Sequence, residues 1–204
     1  MIEFSELELV RKAAAGDRDA FEAIVLANEK PLYNLALRTL RQPEDAADAV
    51  QETFLKAYTG LSSFRGDSKL SVWLYRIMSN VCVDALRRRR ETLSLSVEDG
   101  EGTATELELP DERFDPARIA EQNDLRDRVR EAVERLPEDF RRPLLLREFG
   151  ELSYEEIAGV LDLPAATVKT RIFRARKKLC ALLAADGNFS GAAASKASEG
   201  GERA

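Results

Sequence analysis

The sequence predicts an all-α protein of two small helical domains joined by an acidic linker. Three observations carry this. Apolar residues recur at helical spacing up to about Arg90 and again from Leu125 to Leu182. Start and stop residues sit at the edges of each periodic stretch. From Glu91 to Asp115 the period is lost and the chain turns acidic. A chain of 204 residues has room for two such domains.

Ser5 can cap a first helix with Leu7, Val10 and Ala14 on one face, ending at Gly16. Asp17 can cap a second, carrying Phe21, Ile24 and Val25. Pro31 permits a fresh start, after which Leu32, Leu35, Ala36, Thr39 and Leu40 keep the period. Gln42-Pro43 breaks it. Pro43 suits the first turn of the next helix, with Glu44, Asp45 and Asp48 near its positive end. That helix is expected to bury Ala47, Val50, Phe54 and Tyr58 and to display Asp48, Gln51, Glu52 and Lys56. A loop, Leu61 to Ser68, leads to a long helix from about Ser71 to about Arg90. Leu74, Ile77, Val81 and Ala85 form its core stripe, and Arg76, Asn80 and Arg87 lie on another face.

Residues 93–120 read as a flexible acidic linker. Leu125, Val129, Ala132, Val133 and Leu136 restore the period, and Pro137 ends it. The next helix carries Phe140, Leu144 and Phe149, with Pro143 expected near its first turn, and stops at Gly150. Ser153-Tyr154-Glu155-Glu156 is a capping box. Ile157, Ala158 and Leu161 follow on one face, and Asp162 to Ala166 form a tight turn. Thr167 can cap a last helix whose core is Val168, Ile172, Ala175, Leu179 and Leu182. The domains are thus expected at 1–92 and 121–185, with a disordered Ala/Gly/Ser-rich tail over 186–204.

Composition narrows the function. Hydrophobic residues at 44% and charged residues at 33% describe a soluble folded protein. No apolar run approaches the ~20 residues of a membrane span, and the N-terminus does not read as a signal peptide, so a cytoplasmic protein is expected. Cys82 and Cys180 read as small buried apolar residues, with a redox pair as the minor alternative. The chain has no histidine, which removes His-based acid–base chemistry, Ser-His triads and most zinc sites. No phosphate loop or nucleophile elbow appears. Neither catalysis nor a metal or cofactor is expected.

The net charge of −6 alone argues against nucleic acid, but its distribution argues the other way. Arg87 to Arg90 are consecutive arginines. From Pro164 to Leu183 there are Lys169, Arg171, Arg174, Arg176, Lys177 and Lys178 and no acid. Two short helices joined by a tight turn, the second basic, describe a helix-turn-helix. Such a helix fits the major groove, points its first turns at base edges and neutralises phosphates with flanking cations. Lys169, Thr170, Phe173 and Arg174 fall on or near the outward face. Arginine can donate twice to guanine, threonine can make one hydrogen bond or touch a thymine methyl, and phenylalanine offers apolar contact. Arg176, Lys177 and Lys178 read as phosphate contacts; the bland alternative is a solvated basic helix.

In the first domain, Phe64, Trp73, Arg76 and Asn80 mix aromatic, amide and cationic groups. Unstacked bases need aromatics beside positive charge, because every base has a π-face. The alternative is that Phe64 and Trp73 are simply core.

The strings GDRDAFEAIV, DAVQETFLKAY, FRGDSKLSVWLYRI, LPEDFRRPLLLREF, LSYEEIAGVLDLP and ATVKTRIFRARKKL, in this order, resemble the extracytoplasmic-function sigma factors of the sigma-70 family. The resemblance covers roughly Leu7 to Arg90 and Leu125 to Leu183. It implies that the domains are sigma regions 2 and 4 and that the chain directs RNA polymerase to promoters. Asp48, Gln51, Glu52 and Lys56 would dock on the coiled coil of the largest polymerase subunit, and region 4 on the flap of the second-largest. Phe64, Arg65 and Lys69, with Trp73, Arg76 and Asn80, would capture the melted minus-ten strand. Thr167, Lys169, Thr170, Arg171, Phe173, Arg174 and Lys177 would read the minus-thirty-five element. The acidic linker would thread the polymerase channel, and an anti-sigma factor would be the regulator. Members often carry Gly just before the recognition helix; here Ala166 stands there, strained if that position needs a positive φ.

Two other classes fit parts of the chain. A stand-alone helix-turn-helix regulator with an N-terminal sensor bundle has no need of the VQETFLKAY and FRGDS strings. An interaction protein mimicking a sigma factor would usually lack an intact basic recognition helix.

Overall fold

The computed structural model describes residues 6–95 and 116–185. Among these residues the order is α1 (Glu6–Ala14), α2 (Arg18–Leu40), α3 (Pro43–Gly60), a 3-10 turn (Leu61–Ser63), α4 (Leu70–Leu95), α5 (Pro116–Glu134), α6 (Glu138–Phe149), α7 (Tyr154–Leu161) and α8 (Ala165–Ala185). The expected all-α class is what is seen. None of these helices is long and apolar enough to cross a membrane. Helices α1–α4, the C-terminal half of α6 and α7 group into one compact unit; α5, the N-terminal half of α6 and most of α8 group into another.

In the first unit Ile24, Leu32, Leu61, Leu74, Met78 and Ile157 are almost wholly buried. Each such side chain stabilises the fold by roughly 1.5–3 kcal/mol. Asp17 caps α2 as expected, its Oδ1 accepting from Ala20 N–H at 3.1 Å. Pro31 does not restart a helix: α2 runs through it. An interior proline costs about 3 kcal/mol, chiefly through a lost hydrogen bond and a clash with the carbonyl four residues back. Here Pro31 and Ala27 both lie exposed, so water can serve the freed carbonyl. Leu32, Leu35 and Ala36, all buried, hold the second half of α2 in place.

The core stripe of α3 is Ala46, Ala49, Val50, Thr53, Phe54 and Ala57, so Val50 and Phe54 are buried as expected while Ala46 and Ala57 take the places expected for Ala47 and Tyr58. Ala47 is exposed and Tyr58 is half-exposed, its ring edge-on to Phe21 at 4.9 Å. Small residues win the inner face because they let neighbouring helices approach. Thr53 can join them because its hydroxyl donates to the Ala49 carbonyl at 2.7 Å. A similar displacement affects α1, where Ala13 rather than Ala14 is buried.

Glu6 tethers the start of α4: its carboxylate accepts from Leu70 N–H at 3.0 Å, satisfying one of the free donors there. The preceding loop turns at Gly66, whose φ is +80° and where a Cβ would lie 3.1 Å from Leu7 Cδ1. Only glycine meets both demands. Helix α4 continues to Leu95, and α5 begins at Pro116, so both ends of the expected linker are helical. Pro116 suits a first turn, and the few apolar residues that follow it hide the helical period. Residues 96–115 and 186–204, the rest of the expected linker and the tail, lie outside the described residues.

Pro143 sits in the second turn of α6, not the first. The carbonyl it leaves unpaired belongs to Asp139, an exposed residue near the helix start. Phe149, expected in the core, is 37% exposed and lies under the Arg38 guanidinium, 3.9 Å from its ring centre. Cys180 is exposed, against expectation, because its place on α8 falls outside the Val168–Ile172–Ala175 stripe; Cys82 is buried, its Sγ 3.7 Å from Met78 Sδ, and neither cysteine is in a disulfide.

Candidate nucleic-acid interface

The capping box forms as read: Ser153 Oγ accepts from Glu156 N–H at 3.1 Å, and Glu156 Oε2 accepts from Ser153 N–H at 2.8 Å. This backbone hydrogen bond, with lesser help from Lys69, holds the Glu156 carboxyl below the usual carboxylate range. Helix α7 ends at Asp162, whose φ of 54° provides the left-handed residue of the turn. An aspartate tolerates that conformation better than most side chains. Ala166 is therefore spared it and is already helical. Thr167 lies inside α8 rather than capping it, because the helix begins at Ala165.

Val168, Ile172 and Ala175 are buried on one side of α8. Outside that stripe Lys169, Thr170, Phe173, Arg174 and Lys177 are exposed, while Thr167 is half-buried. Phe173 is 67% exposed, an unusual place for so large an apolar group unless something covers it. Thr170 Oγ1 donates to the Ala166 carbonyl at 2.9 Å. Arg171 differs from its neighbours: its side chain is 28% exposed and Nη1 lies 3.5 Å from Asp139 Oδ1 on α6.

In the first unit Phe64 and Trp73 are half-buried, with ring centroids 5.4 Å apart at 58°. Trp73 also packs over Gly60, where a Cβ would lie 3.3 Å from Cζ2. Arg65, Lys69, Arg76 and Asn80 are exposed. The structure thus brings the two rings together, each partly packed and partly at the surface. Lys69 Nζ lies 3.1 Å from Glu156 Oε1.

On α3, Asp48, Gln51 and Lys56 are exposed and Glu52 is partly so. Lys56 lies 2.8 Å from Glu52, and Arg88 approaches the same carboxylate at 3.6 Å. The Lys56 hydrogen bond, then the charges of Lys56 and Arg88, keep the Glu52 carboxyl below the usual range despite some burial. Arg89 reaches Asp45 at 4.0 Å. Arg88 and Arg89 thus form one wall of a groove of about 430 Å³, with Asp45, Asp48 and Glu52 on the other. The sequence reading missed two neighbours of these sites. Leu55, 69% exposed, stands among the α3 candidates; its i+4 spacing from Gln51 was the available signal. Asp139 is the other; an acid in a first turn ordinarily serves the helix dipole, so its residue type alone gives no signal of a partner on α8.

The Sigma-70 region 2 family matches residues 24–92, and the Sigma-70 region 4 family matches residues 126–179. The chain is 38% identical to the RNA polymerase sigma-H factor of Pseudomonas aeruginosa over 84% of its own length and 90% of that protein's. It is 38% identical to the ECF RNA polymerase sigma-E factor of Escherichia coli K12, with the same coverage of each. Among solved structures it is similar to CnrH in complex with the cytosolic domain of CnrY, at 31% identity and TM-score 0.65 over 89% of this chain and 99% of that one. It is also similar to the sigma factor RpoE of Bartonella quintana in complex with the anti-sigma factor NepR, at 28% identity and TM-score 0.65 over 81% and 98%. The two regions and the near full-length relatives together place the chain in the sigma-70 family, among its extracytoplasmic-function sigma factors.

Proposed function

We propose that this sigma factor binds core RNA polymerase through α3, opens minus-ten DNA at the Phe64–Trp73 cluster and reads the minus-thirty-five element with α8. The observation that carries the reading is the outer face of α8, where exposed Phe173 stands among Lys169, Arg174 and Lys177 with no acid on the helix. A solvated helix has no use for the phenylalanine, whereas a groove supplies both apolar base edges and phosphates.

In this reading Gln51, Glu52, Lys56 and Asp48 meet the coiled coil of the largest polymerase subunit, and region 4 meets the flap of the second-largest. Phe64, Arg65 and Lys69 cradle a flipped base, and Trp73, Arg76 and Asn80 hold the melted strand. Flipping costs a few kcal/mol, which stacking in a loop pocket offsets in part. Two modest DNA contacts become one strong one by effective concentration, with the segment between regions 2 and 4, taken as 93–120, setting their span. Bond making belongs to polymerase; the chain works as a cytoplasmic adaptor without cofactor or catalytic residue. Two similar structures are complexes, one named for an anti-sigma factor, which supports a protein regulator of that kind here.

Run-off transcription on host promoter fragments, with core polymerase and with or without this protein, tests the proposal. Defined transcripts that depend on the protein are expected. No promoter use together with no co-purification with core would overturn it and favour a stand-alone regulator.

A further inference from the structure

The contact between Arg171 and Asp139 points to a division of labour on the recognition helix. We infer that Arg171 is a positioning residue: it locks α8 onto the first turn of α6 through Asp139 and does not itself touch DNA. The inference rests on the minus-thirty-five reading above and departs from the expectation that Arg171 is a DNA contact.

The helical wheel gives the first reason. Taking ~100° per residue, Arg171 lies roughly 70° from the centre of the buried Val168–Ile172–Ala175 stripe. Thr170, Phe173 and Lys177 all lie more than about 120° from it. Arg171 therefore flanks the core rather than the groove-facing side. Its environment agrees, because its side chain is 28% exposed, while Lys169, Phe173, Arg174 and Lys177 are exposed. Its guanidinium is already engaged, with Nη1 at 3.5 Å from Asp139 Oδ1. Asp139 is 75% exposed, so the pair is worth little in overall stability. Its consequence is geometric. A carboxylate anchored in α6 fixes the rotation of α8 about its axis, and that rotation aims Thr170, Phe173 and Arg174. A small misorientation at the helix is a larger displacement at the side-chain tips that meet base edges.

Electrostatics makes the idea separable from the alternative. Asp139 is an acid close to the DNA-reading helix. If it only sat near phosphates, neutralising it would strengthen binding. If it positions α8, neutralising it must weaken recognition of the cognate element.

The test is holoenzyme binding to promoter fragments with intact or scrambled minus-thirty-five elements across a salt series, using the full-length chain. Asp139→Asn and Arg171→Met are each expected to lower the intact-over-scrambled preference roughly three- to fivefold, the upper range of an exposed ion pair. Their combination should lose no more than either alone. The slope of log affinity against log salt should stay as in the unaltered protein, because no phosphate contact is removed. The charge-exchanged Asp139→Arg/Arg171→Asp variant should regain part of the preference. Thermal melts of each variant separate misaiming from unfolding, and Asp139→Asn, at an exposed site, keeps the test open should Arg171→Met fold poorly. The inference is overturned if Asp139→Asn leaves the preference unchanged or raises it. It is overturned equally if Arg171→Met shifts the salt slope by about one, the mark of a lost phosphate contact. A holoenzyme indifferent to scrambling would overturn the minus-thirty-five reading and this inference together, and the Arg174→Ala variant, inert in that case alone, tells the two failures apart.

Discussion

Thr170 Oγ1 donates its proton to the Ala166 carbonyl, 2.9 Å away and one turn back along α8. The hydroxyl cannot then donate to a base edge, and the methyl group becomes the free apolar end of an exposed side chain beside Phe173. Both readings of Thr170 were open in the sequence; the back-bond favours the methyl. Replacing individual minus-thirty-five thymines by uracil, which removes only the C5 methyl, should weaken holoenzyme binding roughly fourfold at one or two positions, about the value of one buried methyl. Thr170→Ser and Phe173→Ala should be weaker binders that no longer sense the substitution. Uniform indifference of the unaltered protein to uracil would exclude methyl reading.

The Phe64–Trp73 pair makes a second prediction. Both rings are half-buried, so each substitution carries a stability cost and a DNA cost that must be separated. Trp73→Ala should slow promoter opening on duplex DNA by about tenfold, within the 1–3 kcal/mol of one base–aromatic stack. Asn80→Ala, at an exposed position, should slow it without a stability cost. A template pre-opened across the minus-ten element should recover much of both losses in the same run-off assay. Equal losses on duplex and pre-opened templates would mark Trp73 as packing only.

Much of this arrangement was legible in the chain, and the misses have physical causes. Caps and breaks were readable because they rest on local chemistry: Asp17, Pro43 and Ser153 each act within three or four residues of themselves. The basic face of α8 was readable because charge survives any fold. What failed was the choice between adjacent small residues. Ala46 against Ala47 and Ala13 against Ala14 differ by one helical step, and hydropathy cannot rank one alanine over another. Pro31 and Pro143 misled because their tolerance depends on whether water reaches one carbonyl, a tertiary fact. The Arg171–Asp139 pair spans 32 residues of sequence, so no periodicity could announce it.

Leu55 carries the third prediction. It is 69% exposed on α3 and flanked by Gln51, Glu52 and Lys56. An exposed leucine within a polar rim has the make-up of an interface centre. Leu55→Asp should abolish co-purification with core polymerase while leaving the thermal midpoint within a few degrees, since little is buried in the free chain. Lys56→Ala, at the rim, should cost less than about 1 kcal/mol of that binding. Retention of full polymerase affinity in Leu55→Asp would move the docking surface off this face of α3.

The fourth prediction concerns acid. Glu156 binds Ser153 N–H as a carboxylate, and its folded-state value is depressed below the ordinary 4.5. A depressed carboxyl adds stability that is fully present above its unfolded value and is lost as pH falls through the folded one. The capping box of α7 should therefore hold at neutral pH and weaken below about pH 4.5, as the carboxylate takes up a proton and ceases to be the stronger acceptor. Glu156→Gln keeps an oxygen for Ser153 N–H but cannot titrate. It should be slightly less stable at pH 7 and show a shallower acid loss in urea melts followed by circular dichroism. Ser153→Ala removes the other half of the box and should cost about 1 kcal/mol at either pH, typical of a lost N-cap. Identical acid limbs for Glu156→Gln and the unaltered protein would show that other carboxyls govern unfolding there. Glu52, depressed mainly by its Lys56 hydrogen bond, would then be the next to replace.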